Sequence, residues 1–456
     1  MRRVVKVSRI RIIITIIVVV LTTLLTGCTG KEPNEIAYVV ALGIDSTDDD
    51  NYKITIQYAN TTQISGGASE SGGKAGSEIV DNVTIEAPNI YAGVGLANNI
   101  VSKSFSMSHA KLIVFSKEIA EKGVKDMIET LVRSEEIRPD VFIAVANTTA
   151  NDYLTSVNPE MEVNPAQYYQ LIYQKNQLVG IPDGQLREFF TGLYTDNYDS
   201  ILPVAGVIEG SGSNRQNDDK GQSKDGQNEG SEGSSESLDS FESKSSNEKD
   251  ENEKEKDAEK NTSKYEYDIK NYVGGETAIE KKNKAEAIGA AVFEKDKMVG
   301  ELGEVETEIC KMLKGDYTYS YLTYYNNDTP DIPITVKTTQ QKKPKYKIDT
   351  DKKTVDIELY IESDLYSLPA DYNVENKIED FERDVANYTS SACTEFINNF
   401  TKKYNSDILK LNEKIKYKFL TNNQYNWFKK NVGWSEYKFS VCTNFKVRRT
   451  GLIVRE

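Results

Sequence analysis

Two kinds of hydrophobic pattern run along the chain and predict strands. Apolar and polar positions alternate strictly at 52–58, 353–362 and 437–447, which is typical of a strand with one buried face. Short continuous apolar runs, such as 110–115 and 141–146, predict compact apolar strands. The predicted strands are 36–44, 52–58, 110–115, 141–146, 287–293, 297–302, 317–325, 332–337, 353–362 and 437–447.

Apolar residues at intervals of three or four predict amphipathic helices between these strands. The longest spans 375–404 and carries its apolar residues on one face. That face comprises Ile378, Phe381, Val385, Tyr388, Ala392, Phe396 and Phe400. The other predicted helices are 88–102, 117–133, 165–178, 185–194, 305–313 and 406–419. Strand–helix–strand order around 110–146 indicates a sheet packed by helices.

One segment, 209–262, lacks both patterns. It is rich in Ser, Gly, Asn, Glu and Lys, and its acids outnumber its bases two to one. Such a segment buries too little apolar surface to offset the entropy of ordering, so we predict a disordered surface insertion. A tail that binds a partner is the alternative reading of the same composition.

These patterns predict a multidomain α+β protein with mixed and antiparallel sheets packed by helices and a long disordered acidic insertion. The predicted divisions are a signal peptide at 1–27, an N-terminal α+β domain at 28–205, the insertion at 209–262, and a C-terminal α+β domain at 206–456 that contains it.

The N-terminus has the pattern of an export signal. Residues 1–11 carry five cations and no acid, and 12–25 is apolar apart from three threonines. As a helix, the apolar run spans about 21 Å, short of the roughly 30 Å hydrocarbon core of a bilayer. Leu25-Thr26-Gly27-Cys28 then resembles a bacterial lipobox. We expect cleavage between Gly27 and Cys28, with the Cys28 thiol carrying the lipid.

Charge and composition exclude several kinds of chemistry. The net charge is −15, and the five N-terminal cations make the rest of the chain more acidic still. An acidic exterior argues against nucleic-acid binding and against broad adhesion to anionic lipids. The single histidine, His109, excludes a zinc site with two histidines, and there is no HExxH or GxSxG motif. His109 is predicted to pack between a helix and a strand or to act as a cap.

Several other candidate residues are expected to have structural roles and no chemical function. Cys310, Cys393 and Cys442 form no CxxC pair, and we expect small core residues, with a single Cys393–Cys442 bridge as the alternative. Trp427 and Trp434 are expected to be core or interface anchors. Acidic residues at 45–50 lack the calcium-loop spacing and predict a solvated turn. The glycines at 93–98 depart from the phosphate-binding pattern, which leaves metal and cofactor sites without support.

Several segments, read in order after the lipobox, carry a family resemblance. They include NEIAYVVALGID at 34–45 and AIGAAVFEKDKMVGEL at 287–302. The others lie at 108–111, 120–123, 131–133, 306–307 and 434–451. Together they resemble the Ger(x)C family of spore germination lipoproteins, the C subunits of nutrient germinant receptors. The chain departs from that family at Thr29-Gly30, where Trp-Asp is usual, and in its long insertion.

The resemblance implies a non-enzymatic subunit without cofactors. It would be lipid-anchored on the outer face of the spore inner membrane or cell membrane and would assemble with integral-membrane A and B subunits. Such receptors respond to small nutrients and trigger release of ions and dipicolinate. Two other functions stay open on the residues alone. The first is an extracytoplasmic solute-binding lipoprotein of a transporter, and the second is a cell-wall hydrolase with paired carboxylates.

Overall fold

The described part of the chain contains two sheets and the helices that cover them. The computed structural model describes residues 13–18, 35–49, 51–60, 80–159, 162, 164–174, 180–195, 197–208, 271–277, 283–326, 329–367 and 377–450. Cys28 and the acidic insertion at 209–262 lie outside these ranges, so the lipid attachment and the predicted disorder stay predictions. The predicted domain boundaries also stay predictions.

Fourteen strands are found within these ranges. They are β1 Ile36–Ser46, β2 Tyr52–Ala59, β3 Val80–Ala87, β4 Ser104–Ser106, β5 Leu112–Ser116, β6 Phe142–Ala146, β7 Ile201–Val207, β8 Ala285–Glu294, β9 Lys297–Leu302, β10 Tyr319–Asn326, β11 Thr329–Gln340, β12 Lys345–Asp349, β13 Thr354–Ser367 and β14 Lys438–Arg449.

Ten α-helices of the same ranges follow the helical turn at 13–18. They are α1 Ile90–Ala97, α2 Lys117–Lys122, α3 Lys125–Val132, α4 Ala150–Ser156, α5 Pro165–Gln174, α6 Leu186–Thr195, α7 Glu304–Lys314, α8 Ile378–Tyr404, α9 Leu411–Ile415 and α10 Asn422–Asn431. Short 3₁₀ turns at Lys416–Lys418 and Trp434–Glu436 complete them.

The first sheet is mixed and has the order β3-β2-β1-β5-β6-β7-β8-β9, with β4 beside β1. Strands β1, β5, β6 and β7 are parallel, because helices return the chain between β5, β6 and β7. Every residue of β5 and β6 is buried, since helices cover both faces. Antiparallel pairing of β7 with β8 joins the chain before the insertion to the chain after it.

The second sheet has one buried face. Its order is β10-β11-β13-β12, and β14 runs parallel to β13 on the opposite edge. Buried and outward residues alternate along β13 and β14. The buried face packs on α8, with Ile357, Phe396, Phe439 and Trp434 in one core. The predicted α+β architecture, with mixed and antiparallel sheets packed by helices, is confirmed.

A row of polar side chains on α8 seals the outer edge of β14. Asn398 accepts from the Phe439 amide at 3.1 Å and donates to the Phe439 carbonyl at 2.9 Å. The hydroxyls of Thr394 and Ser390 accept from the next amides along this edge of β14, those of Val441 and Thr443. A carboxylate oxygen of Glu382 accepts from Val447 in the same way. The unpaired edge of a strand, which would otherwise recruit another strand, is thus hydrogen-bonded within the chain.

Three helix predictions are wrong in extent. The helix predicted at 117–133 is two helices, because Gly123 adopts a φ of 126° and the next amide, Val124, bonds to the Asp296 carbonyl. The helix predicted at 88–102 ends at Ala97, where Asn98 turns to accept from the Phe105 amide. The helix predicted at 406–419 begins only at Leu411.

Six elements were not predicted at all, namely β3, β4, β7, β12, α4 and α10. The strand β7 contains Pro203 and Gly206, which weaken a strand pattern. The helix α4 is short and polar, and it depends on caps rather than on an apolar stripe. The strand β12 has a single buried residue, Ile348, so its sequence contains no alternating apolar pattern that would predict a strand.

Candidate functional site

The predicted lipid attachment site lies between two described segments. Gly27 and Cys28 themselves lie outside the described residues. On one side the turn at 13–18 is helical with exposed apolar side chains. On the other side Ile36 opens β1, an interior strand of the first sheet. None of the helices in the described ranges is long and apolar enough to cross a bilayer.

His109 lies in the loop between β4 and β5 and is exposed. Its Nδ1 is 3.0 Å from the Ser108 hydroxyl, and its ring meets the Tyr38 ring edge-on at 4.8 Å between centroids. The expectation that it caps a helix or packs between a helix and a strand is therefore wrong. The loop residue is instead a surface neighbour of β1.

The two tryptophans have opposite environments. Trp434 is buried, and its Nε1 donates to Asn412 Oδ1 at 3.2 Å, so it is the expected core anchor. Trp427 is 64% exposed on α10, so the core reading is wrong for this residue. The reason is position on the helix, because the inward face of α10 is occupied by Tyr425 and Phe428.

The three described cysteines are free thiols. Cys310 and Cys393 are buried, and Cys442 is exposed on β14. The alternative of a Cys393–Cys442 bridge is therefore not realised in the structure. Burial raises the pKa of the Cys310 thiol to about 11 and that of the Cys393 thiol to about 12, which keeps both protonated and unreactive.

Asp45, at the end of the first strand of the hairpin, accepts hydrogen bonds from backbone amides. The carboxylate of Asp45 is buried and accepts from the Ala150 amide at 2.6 Å and the Asn151 amide at 3.0 Å, so it caps α4. Burial raises its pKa, and the two amide hydrogen bonds oppose that shift. Within the described ranges no group of three or more His, Cys, Asp or Glu side chains is placed to hold a metal ion.

A partly buried polar cluster joins the chain before the insertion to the chain after it. We call Glu188, Tyr198, Asp199, Asp407 and Lys410 the junction cluster. Asp199 Oδ2 accepts from the Asp407 amide at 2.9 Å, and the Asp199 amide donates to the Asp407 carbonyl at 3.2 Å. Lys410 Nζ lies 3.3 Å from Glu188 Oε2 and 4.1 Å from the centre of the Tyr198 ring. Hydrogen bonds, an ion pair and a cation–π contact thus converge at one place.

The Asp407 side chain organises the second half of this cluster. Its carboxylate accepts from the Leu411 amide at 2.7 Å and the Asn412 amide at 2.8 Å, which starts α9. This cap explains why the helix predicted from residue 406 begins later, since Lys410 must adopt a left-handed φ of 56° to present those amides. Burial raises the pKa of Asp407 to about 7 against the opposing effect of the two amides.

A second contact between the same halves lies on α7. Lys311 Nζ donates to the Ile181 carbonyl at 3.0 Å, and burial lowers the pKa of this lysine to about 8. One turn earlier, burial raises the pKa of Glu308 to about 7, while the Tyr317 hydroxyl donates to it at 3.1 Å. The Lys311 bond ties α7 to the chain before the insertion, and the raised pKa of Glu308 lets this carboxyl take up a proton near neutral pH.

Sequence reasoning missed the junction cluster. The only local signal is Asp407 immediately before an apolar pair, which is common at helix starts. Nothing in the pattern connects Asp407 with Asp199, which lies far away in the chain. The pairing depends on how the two sheets meet, and periodicity within a segment carries no information about that.

Comparisons with known proteins place the chain in a family. Residues 30–207 match the family described as Spore germination protein N-terminal domain, and residues 288–451 match Spore germination B3/GerAC like, C-terminal. The two matches occur in that order and together span most of the chain. They end and begin on either side of the segment at 209–262.

Two curated relatives agree with these matches. Spore germination protein KC of Bacillus subtilis is 26% identical over 174 residues, covering 35% of this chain and 42% of the relative. A putative spore germination protein, YfkR, of the same species is 28% identical over 145 residues, covering 32% and 37%. The chain thus spans about two fifths of the length of these relatives. The crystal structure of the GerBC protein superposes with a TM-score of 0.47 at 15% identity, covering 89% of this chain and 96% of that one. The chain belongs to the Ger(x)C family of spore germination proteins.

Proposed function

We propose that this chain is a non-catalytic lipoprotein subunit of a spore nutrient germinant receptor and is required for germination. The observation that carries the proposal is the ordered pair of family matches behind a lipobox at Cys28. The structure is compatible with a scaffold, because the polar groups of the junction cluster are engaged in holding two parts of the chain together.

Anchoring would occur through a diacylglyceryl group, and in addition palmitate, on Cys28. Each buried CH₂ contributes about 0.8 kcal/mol, and stable attachment takes two chains, which a diacylglyceryl cysteine supplies. A short polar tether would then lead from Cys28 into β1, so the anchor would hold the body through an interior strand. The protein would lie on the outer face of the spore inner membrane.

The partners would be the integral-membrane A and B subunits of the receptor, with no nucleic acid and no cofactor. A scaffold of this kind must keep a fixed shape, and the junction cluster supports that requirement by joining segments 188–199 and 407–410. Which nutrient class the receptor senses is left to the experiment.

The test is dipicolinate release from spores of the source organism across a nutrient panel. The strains compared are wild type, a deletion, Cys28→Ala and the matched control Cys442→Ala, which removes an exposed free thiol from the folded body. We expect release to one nutrient class to fail in the deletion, to be impaired in Cys28→Ala and to be normal in Cys442→Ala. Normal germination to every nutrient with loss of uptake of one solute would replace the proposal with a solute-binding lipoprotein.

A further inference from the structure

An exposed patch of aromatic, aliphatic and basic residues lies on the C-terminal helices. We define the Lys–Trp patch as Lys416, Tyr417, Lys418, Leu420, Trp427 and Lys430. Tyr417 is 81% exposed, Leu420 is 93% exposed and Trp427 is 64% exposed. Large apolar side chains this exposed, and this close in the chain, are unusual on a protein surface and often mark an interaction site.

The local structure explains why Leu420 projects outward. Thr421 is the N-cap of α10, and its hydroxyl accepts from the Gln424 amide. A residue just before an N-cap ordinarily packs on the first turns of the helix as a hydrophobic staple. Here Phe419 takes that role, with its ring 5.7 Å from Tyr425 and 5.1 Å from Phe428 between centroids. Leu420 is therefore left at the tip of the turn.

The helix α10 carries the other two members of the patch, Trp427 and Lys430. Tyr425 and Phe428 are buried, whereas Trp427 and Lys430, three positions apart, lie on its outward side. The preceding 3₁₀ turn adds Lys416 and Lys418 beside the exposed Tyr417. Exposed apolar side chains and lysines thus alternate within residues 416–430.

The charge of this region opposes that of the whole chain. Residues 402–430 contain eight lysines and two acids, in a protein with a net charge of −15. Some of these lysines are engaged: Lys418 donates to the Ile348 carbonyl, and Lys410 pairs with Glu188. Lys416 and Lys430 are exposed, and Lys416 Nζ lies 5.8 Å from the centre of the Tyr425 ring. Residues 402–430 are therefore a locally basic region in an acidic chain.

We propose that the Lys–Trp patch binds an anionic lipid surface. Tryptophan and tyrosine favour the boundary between hydrocarbon and headgroups, and lysines beside them attract anionic headgroups. Leu420 at a projecting tip suits shallow insertion among acyl chains rather than an ion-paired protein contact. The proposal stands on the patch itself and does not require lipidation of Cys28, and it gives the folded body a second membrane contact.

The two tryptophans make a direct test possible in the full chain. Wild type and Trp427→Phe are reconstituted in vesicles that contain brominated lipid, with and without phosphatidylglycerol in phosphatidylcholine. Trp434 is buried in the core in both proteins, so the difference between them reports Trp427. We expect Trp427 to be quenched in the anionic vesicles only, and raised salt to weaken that quenching by screening.

Lysine variants distinguish electrostatic binding at the patch from non-specific adsorption to vesicles. Each lysine near an anionic surface contributes about a fivefold factor in partitioning, so Lys416→Gln and Lys430→Gln together should abolish most of the quenching. The matched control neutralises two exposed lysines elsewhere, Lys125 and Lys347, and should retain the quenching. Unchanged Trp434 emission would show that each variant is folded.

Three results would overturn the proposal. The first is equal quenching of wild type and Trp427→Phe in anionic vesicles. The second is quenching of Trp427 that is as strong in neutral vesicles as in anionic vesicles, or as strong in the patch lysine variant as in the control lysine variant. The third is protection of Trp427 from an aqueous quencher only after spore membrane proteins are added, which would identify the patch as a protein interface.

Discussion

The two sheets bury their strands in different ways. In β5 of the first sheet every residue is buried, because the two faces pack against separate cores. In β13 of the second sheet buried residues alternate with outward ones, because only one face packs on α8. The first sheet is therefore an internal layer, and the second sheet keeps a face and its edge strand β14 near the surface. Substitutions should respond to this difference.

The largest expected effect comes from neighbouring positions in the two sheets. Leu112→Ala and Ile113→Ala remove fully buried side chains from opposite faces of β5, and each should lower the free energy of unfolding by about 2–5 kcal/mol. In β13 only one of two neighbours should matter. Ile357→Ala should cost a similar amount, whereas Asp356→Ala, on the outward face, should cost less than about 1 kcal/mol. Urea unfolding of the four variants measures this.

A small cost for one of Leu112→Ala and Ile113→Ala would contradict the two-faced burial of the first sheet. A large cost for Asp356→Ala would contradict the one-faced burial of the second. The two pairs therefore test the comparison in both directions.

The next effect concerns how the second sheet ends. Asn398→Ala would leave the amide and carbonyl of Phe439 without partners at the sealed edge of β14. An unsatisfied buried backbone group costs about 1–3 kcal/mol, so we expect a loss of roughly 2–5 kcal/mol and greater self-association through the opened edge. Unfolding and light scattering would measure the two effects. Asn399→Ala, at the exposed neighbouring position, is the control and should be nearly neutral.

The same difference between the sheets determines which of their features the sequence pattern predicts. Alternation along β13 and β14 predicted both the strands and the buried face. A strand that is buried on one face has apolar residues at every second position, and the sequence shows this directly. Continuous apolar runs predicted β5 and β6 as strands but could not give their parallel order, since every position is apolar. Polar residues of α8 such as Thr394 and Asn398 lie beside its apolar stripe, yet only the fold reveals that they bond an edge strand.

The candidate site was beyond sequence reasoning for a related reason. The lipid attachment predicted at Cys28 rests on a contiguous motif, which a single sequence displays. The junction cluster depends on Asp199 and Asp407 meeting across the fold. Contacts between distant segments leave no local pattern, so one sequence without its fold cannot disclose them.

The third effect is a pH dependence at two buried carboxyl groups, Asp407 in the junction cluster and Glu308 on α7. Burial raises the pKa values of Asp407 and Glu308 to about 7, above their ordinary values in the unfolded chain. The unfolded state therefore releases these protons at lower pH, and stability falls as the pH rises from about 4 to about 7. We expect a decrease on the order of 1–3 kcal/mol across this window from these two groups, measured by urea unfolding at a series of pH values.

Asp407→Asn should make this slope shallower, because the amide does not ionise. It should also carry a constant cost, since an amide cannot accept from both Leu411 and Asn412 as the carboxylate does. Asp380→Asn changes an exposed carboxylate at the start of α8 and should leave the slope as in wild type. An unchanged slope in Asp407→Asn would mean that the junction cluster does not set the pH response.

The smallest effect lies on the outward face of the second sheet. Cys442 is exposed on β14, so Cys442→Ser should change the free energy of unfolding by less than about 0.5 kcal/mol. The same thiol should react with a maleimide in the folded protein, whereas Cys393, buried on α8 with a pKa raised to about 12, should react only after unfolding. Mass spectrometry of labelled peptides at increasing urea distinguishes the two sites. If Cys393 reacted as fast as Cys442 under native conditions, α8 would be separating from the sheet, and the sealed edge of β14 would be open for part of the time.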